Sequence, residues 1–319
     1  MNKLNKIKAL FALIMVVCWT NLLKAQYDAM FTQYMFNEMF INPAYAGSKE
    51  AMSATLLHRQ QWVNFPGRPQ TTSFSLHGPL MENKMGLGLS VLSEKVGVQS
   101  RNLVYGSYAY RLKIDDKSNL AFGMMMGVDN QMNKFSDLSV TEAGSPSDPS
   151  FARNTPNMYA LNFGTGVYYS TKTFYGGLSI PRMLDNQAGF NYDGTTKRVT
   201  SLKASRFTFY ITAGNVFKLN EDLKLKASTM IKAVRNSQAQ MDLAANLLIK
   251  DIVWVGLTYR TNSALALMLG VQVNKQFFAS YSYDYGLNKI QKYSQGSHEI
   301  VLNYLFSYKS KKVITPRYF

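Results

Sequence analysis

Three histidines, His58, His77 and His298, are the first residues to weigh as chemistry. Imidazoles bind metals or shuttle protons when carboxylates, thiolates or further imidazoles stand at matching spacing. Here they fall on separate strand-like runs without ligand spacing, so each reads as a lumen-facing or interfacial side chain. The sequence carries no G-x-S-x-G, no H-E-x-x-H and no P-loop pattern. The single cysteine, Cys18, lies in an apolar N-terminal run expected to be removed, which leaves no thiolate nucleophile. No catalytic set, metal site or cofactor is expected, and the chain reads as non-enzymatic.

A different chemistry, recognition, is suggested by LLHRQQWVNFPGRP. Arg59 and Gln61 alternate with Gln60 and Trp62, so in a strand Arg59 and Gln61 share one face. A charged side chain facing a lipid midplane costs about 2–4 kcal/mol. Arg59 is therefore expected to point into a lumen, bonding an N-terminal segment through Asn42 or backbone carbonyls. The other reading makes this stretch an outer surface that meets a partner, with Trp62 and Phe65 as anchors. Pro66-Gly67 is a turn signal and Pro69 restricts the start of the next strand, which predicts a rigid loop.

The elements that must position these residues are strands. In SALALMLGVQV, Leu265, Leu267, Leu269, Val271 and Val273 alternate with small or amide-bearing residues, a period of two. The same pattern recurs in fourteen runs: 54–62, 69–79, 85–93, 101–113, 118–130, 157–170, 173–181, 205–218, 222–234, 239–250, 252–261, 264–274, 276–286 and 296–308. Their length, around ten residues, exceeds the ordinary strand of about 5–6. Connections alternate in length: short at 80–84, 115–118, Lys172, Asn220–Glu221, Asp251 and Lys275, and long at 131–156, 182–204 and 287–295. An outer-membrane barrel has this asymmetry, with short periplasmic turns and longer outer loops. A closed barrel also satisfies every backbone donor and acceptor in hydrocarbon. A soluble propeller would need a per-blade motif, and none recurs.

The fold class expected is therefore all-β, a transmembrane antiparallel barrel of about fourteen strands whose apolar faces touch lipid. Of Met124, Met125 and Met126, two should face lipid and one the lumen. The paired glycines of FGTGVYYS should face inward, where a missing side chain makes room. Tyr105, Tyr108, Tyr110, Tyr168, Tyr169, Phe277, Phe278, Tyr304, Phe306 and Tyr308 are read as aromatic girdles.

Residues 1–25 read as a secretory signal peptide, with Lys3, Lys6 and Lys8, an apolar run too short to span a bilayer, and cleavage after Ala25. Lys+Arg total 35 against 19 acids; without the four lysines of residues 1–25 the excess is 12. An exported chain has little access to nucleic acid, so none is expected as a partner, and lipid phosphate or an acidic partner suits the charge better. Residues 26–53 place Tyr27, Met30, Phe31, Tyr34, Met35, Phe36, Met39 and Phe40 at the spacing of one or two helical turns, stopped at Asn42-Pro43. So apolar a segment should pack on the barrel mouth or plug the lumen. Residues 54–308 form the barrel, and 309–319 a basic tail, free or docked on a partner.

FINPAYAGS, the run LLHRQQWVNFPGRPQTTSFSLHGPL and FYGGLSIPRML at 174–184 together resemble the PorP/SprF family of Bacteroidota outer-membrane proteins. That resemblance implies a component of the type IX secretion and gliding machinery. Its partners would be periplasmic ring components and secreted adhesins bearing a C-terminal sorting domain, which the barrel helps to export or to hold at the surface. The family is similar in turn to fatty-acid-transporter barrels with an N-terminal hatch, whose NPA stretch would here be Asn42, Pro43 and Ala44. That likeness supplies the alternative, a hatch-plugged channel for a small apolar solute.

Overall fold

The computed structural model describes residues 29–49, 51–137, 154–190, 196–235 and 237–306. The expected signal peptide, the basic tail, Tyr308 and much of the 131–156 loop lie outside them. The chain first forms β1 (Met52–Gln60), β2 (Gln70–Leu80), β3 (Met85–Val96), β4 (Gln99–Lys113), β5 (Asn119–Asn133), β6 (Met158–Ser170) and β7 (Phe174–Ile180). A hairpin of β8 (Leu184–Phe190) and β9 (Thr196–Leu202) follows. Then come β10 (Thr208–Lys218), β11 (Leu223–Val234), β12 (Gln240–Ile249), β13 (Val253–Arg260), β14 (Ala264–Gln272), β15 (Phe277–Gly286) and β16 (Ser297–Phe306).

Fourteen strands, all but β8 and β9, pair antiparallel in one closed barrel, and β1 meets β16 to complete the ring. Closure leaves no unpaired edge. Side-chain alternation does the rest. In β14, Ala264, Ala266 and Met268 are buried while Leu267 and Leu269 are each 60% exposed. Met125 points inward and is buried, whereas Met124 and Met126 face out. The outer wall is thus apolar, while the inner wall mixes small and polar side chains with the apolar and aromatic ones that pack the interior segment.

Two expectations change. Tyr105, Tyr168 and Phe278 stand at inward positions and are buried, so they belong to the interior and not to a girdle; Tyr108, Tyr110, Tyr304 and Phe306 do lie on the outer face. Strand parity decides this, because neighbouring aromatics in one strand point to opposite sides. The 182–204 stretch, expected as an irregular loop, carries the β8–β9 hairpin. Its Asn, Asp and Gly content hides the extended backbone, which needs only a partner strand.

Residues 29–49 run inside the barrel. They make three separate 3-10 turns, Tyr34–Phe36, Glu38–Phe40 and Pro43–Tyr45, in place of the helical turns their spacing suggests. The reason is competition: their backbone groups bond wall side chains, and Asn42-Pro43 interrupts the period. Phe31, Tyr34, Met35 and Ile41 pack against Leu57, Leu92, Leu103 and Val301 of the wall.

Candidate functional site

The inner segment runs from residues 31–33 near the long-loop end down to the short-turn end, where it joins β1, and its NPA turn is seated on glycines. Asn42 caps the Pro43–Tyr45 turn, its Oδ1 accepting from Ala44 N–H at 3.0 Å, with Pro43 at the first position where no donor is needed. Asn42 Nδ2 donates to the Val167 carbonyl at 2.9 Å, and Ser179 Oγ donates to the Ile41 carbonyl at 2.6 Å. A Cβ on Gly123 would stand 2.1 Å from Ala44 N, and one on Gly166 would stand 2.1 Å from Asn42 Oδ1. Gly47, at φ +66°, donates its N–H to His77 Nδ1 at 3.0 Å. His77 is thus an inward side chain that holds this turn, while His58 and His298 sit on the outer wall, bonded to Thr72 and Tyr281.

Nearer the long-loop end the segment meets an ion network. Arg59 projects inward from β1 and is buried; its Nη2 lies 2.8 Å from Asp284 of β15 and its Nη1 3.1 Å from Glu299 of β16. Glu299 in turn accepts the backbone N–H of Thr32 at 2.9 Å and of Gln33 at 2.7 Å, one on each carboxylate oxygen. Thr32 Oγ1 donates to Asp284 at 2.6 Å and accepts from Arg59 at 2.9 Å. Arg260 pairs with Asp242 at 2.9 Å and donates to the Phe31 carbonyl at 2.9 Å. Five buried charged groups from β1, β12, β13, β15 and β16 therefore converge on residues 31–33. Buried ions of this kind are tolerable only when paired and hydrogen-bonded.

The inward direction of Arg59 follows the sequence, but its partners do not: it bonds Thr32, Asp284 and Glu299, and Asn42 bonds elsewhere. Sequence separation explains the difference, since Glu299 lies 240 positions from Arg59 and only barrel closure joins them. Asp284 and Glu299 did carry a signal, because an acid inside a spanning strand must face the interior and find a cation. A second group that the sequence reading missed is Glu38, fully buried and facing Lys226 of β11 together with the phenols of Tyr168 and Tyr175. Lys226 Nζ also stands over the rings of Tyr175 and Phe36, at 5.5 and 6.0 Å.

Gln61 and Trp62 lie just beyond β1. Gln61 N–H donates to the Pro69 carbonyl at 2.9 Å, and Trp62, at φ +54°, donates its N–H to Ser297 Oγ at 3.1 Å. The Trp62 and Phe65 rings meet edge to face at 6.3 Å, both half-buried. Val63 exchanges backbone bonds of 2.8 and 2.9 Å with Gly296 and Gln295, so the loop is stitched to the one before β16. Among the described residues, no three His, Cys, Asp or Glu side chains come together to hold a metal ion.

The closed fourteen-strand barrel has counterparts among known proteins. The family model of the type IX secretion system membrane protein PorP/SprF matches residues 23–304. The chain belongs to the PorP/SprF family. It is an outer-membrane β-barrel of the type IX secretion system. No curated protein sequence matches this PorP/SprF chain. A Pseudomonas aeruginosa FadL homologue shares the barrel with a TM-score of 0.50 at 11% identity, over 85% of this chain and 94% of that one. A TodX mutant, a monoaromatic hydrocarbon channel, matches with a TM-score of 0.49 at 11% identity, over 84% and 93% of the two chains. At such identities the likeness speaks for fold alone.

Proposed function

We propose that this PorP/SprF barrel is a non-catalytic surface component of type IX secretion that helps export or anchor an adhesin bearing a C-terminal sorting domain. Periplasmic ring components would meet it from the short-turn side. The observation that carries the reading is the filled interior: residues 31–46 occupy the lumen through buried side chains and bonds to ten wall residues, among them Ser73, Ser179, Asp284 and Glu299. A barrel so occupied serves better as a rigid scaffold than as an open conduit for a folded protein. In this reading residues 29–49, the described part of the segment before β1, act as a hatch, seated by Asn42, Pro43 and Ala44 and latched by Arg59. Gln61, Trp62 and Phe65 then belong to a stitched outer loop that offers a partner two packed aromatic rings.

The test is affinity purification of the tagged barrel from gently solubilised outer membranes, read by mass spectrometry. Recovery of a sorting-domain protein in near-equal amount supports anchoring or export of an adhesin. Ring components alone would assign the chain to the core secretion branch, and a solitary barrel would overturn both. A second reading, passage of a small apolar solute, is favoured by one feature. A cavity of about 60 Å³ at the long-loop end is lined by Phe31, Phe40, Leu92, Leu103 and Met125, with Glu94, Arg101, Arg182 and Lys232 also at its wall. Uptake of a labelled hydrocarbon into proteoliposomes tests it.

A further inference from the structure

The outer wall of β2–β5 carries a sharp boundary. In successive paired rows across these four strands, the outward residues are Phe74, Val91, Val104 and Val128, and then Thr72, Ser93, Asn102 and Asn130. The next row is Gln70, Lys95, Ser100 and Met132. Apolar side chains thus give way, within one step, to hydroxyls and amides, and then to a lysine. Elsewhere the wall behaves differently: Tyr259 and Leu265, at the last step but one of β13 and the second of β14, are still large and exposed. Strands β2–β5 therefore stand above the hydrocarbon on one side of the barrel, while β13 and β14 end inside its edge.

Two further cations join this projecting strip. Gly97 N–H bonds the Gly67 carbonyl at 2.9 Å, which brings the Arg68 loop beside the β3–β4 turn, and Lys134 N–H bonds the Val98 carbonyl at 2.9 Å. Arg68 on the β1–β2 connection, Lys95 near the end of β3 and Lys134 just after β5 thus adjoin, Lys95 and Lys134 with exposed side chains and Arg68 half-buried. The nearest acid, Glu94, has the opposite parity and faces Arg101 across the inner wall. None of the outward residues in these three rows of β2–β5 is a carboxylate, and Asp137 lies three residues beyond Lys134 on the connection after β5. Lys95 is four residues beyond Val91, about 10 Å in height at an ordinary strand rise and barrel tilt. The headgroup zone of a bilayer is about 5–8 Å deep on each side, so these cations stand at or just above its phosphates.

We propose that this strip binds the phosphorylated headgroup of an outer-leaflet glycolipid. The strip matches such a headgroup in both of its chemistries. Lys95, Lys134 and Arg68 meet phosphate, and the row of Thr72, Ser93, Asn102 and Asn130 meets sugar hydroxyls, with the acyl chains lying along Phe74 and Val104 below. The proposal depends only on outer-membrane placement and is independent of any role with adhesins.

The experiment uses the full barrel in phosphatidylcholine nanodiscs doped with a bis-phosphorylated diglucosamine glycolipid or with its dephosphorylated form, and counts retained glycolipid by native mass spectrometry. At least five-fold more of the phosphorylated form is expected to be retained, and the R68Q/K95Q/K134Q variant is expected to lose that preference. K289Q/K292Q, exposed lysines on the connection before β16, should retain it. Equal retention of both forms, an unaffected triple variant, or an equal loss in K289Q/K292Q would overturn the proposal. Heat-modifiable gel migration checks that each variant remains a folded barrel, and excess inorganic phosphate separates headgroup binding from capture of a free anion.

Discussion

Glu299 lies 3.1 Å from Arg59 across the β1–β16 seam, and the same carboxylate takes the backbone N–H groups of Thr32 and Gln33. One side chain therefore ties the last strand to the first and both to the interior segment. Glu299→Ala leaves Arg59 buried with Asp284 as its remaining acid and frees two backbone donors. Breaking a buried pair from one side costs about 3–5 kcal/mol. The expected outcome is a folded barrel whose residues 29–36 become accessible to protease, with a lower melting temperature in detergent. A trace identical to wild type in both measurements would show that the network does not hold the segment.

Glycine placement makes a sharper test of the seat. Gly123→Val puts side-chain atoms where Ala44 now stands, since even a Cβ would come within 2.1 Å of Ala44 N. Gly106→Ala is the matched control, because its nearest neighbour atom is 4.0 Å away. Met39, buried inside the lumen, supplies the probe: Met39→Cys should be inert to a membrane-impermeant thiol reagent in the parent and react readily beside Gly123→Val. Gly106→Ala should leave it inert.

How much of this was legible beforehand depends on the range of each interaction. Strand existence and facing were readable because alternation is local: Lys224, Lys226 and Lys232 were opposed to Leu223, Leu225 and Ile231, and the structure buries Lys226 and Lys232 inside while Lys224 pairs with Asp251 at the rim. Arg59 was readable as an inward charge for the same reason. Its pairing with Asp284 and Glu299 was not, since the contact is made only when the ring closes. Gly166, under Asn42, read only as an inward strand position without a side chain, because the residue it makes room for lies more than 100 positions earlier in the chain. The β8–β9 hairpin escaped because its two short strands carry no sustained apolar alternation in sequence.

Glu38 and Lys226 invite a double-mutant cycle. Each is buried, and their mutual attraction offsets part of the desolvation that each suffers. Glu38→Gln or Lys226→Met alone leaves one unpaired buried charge and should destabilise by about 3–5 kcal/mol. The double variant removes both and should recover most of that loss, measured as denaturation midpoints in urea. Additive losses would mean that the two groups are not coupled.

The lipid face gives the most direct check on orientation. Leu267 is 60% exposed at an outward position near the middle of β14, while its neighbour Met268 is buried against Trp254 and Phe278. Leu267→Arg places a guanidinium in hydrocarbon and should cost about 2–4 kcal/mol in reversible unfolding from lipid vesicles. Met268→Leu keeps the volume of an interior side chain and should cost less than about 1.5 kcal/mol. If the arginine were tolerated as well as the leucine, the outward row of β14 would be facing protein or water. The reading of this wall as membrane-spanning would then fail at that strand.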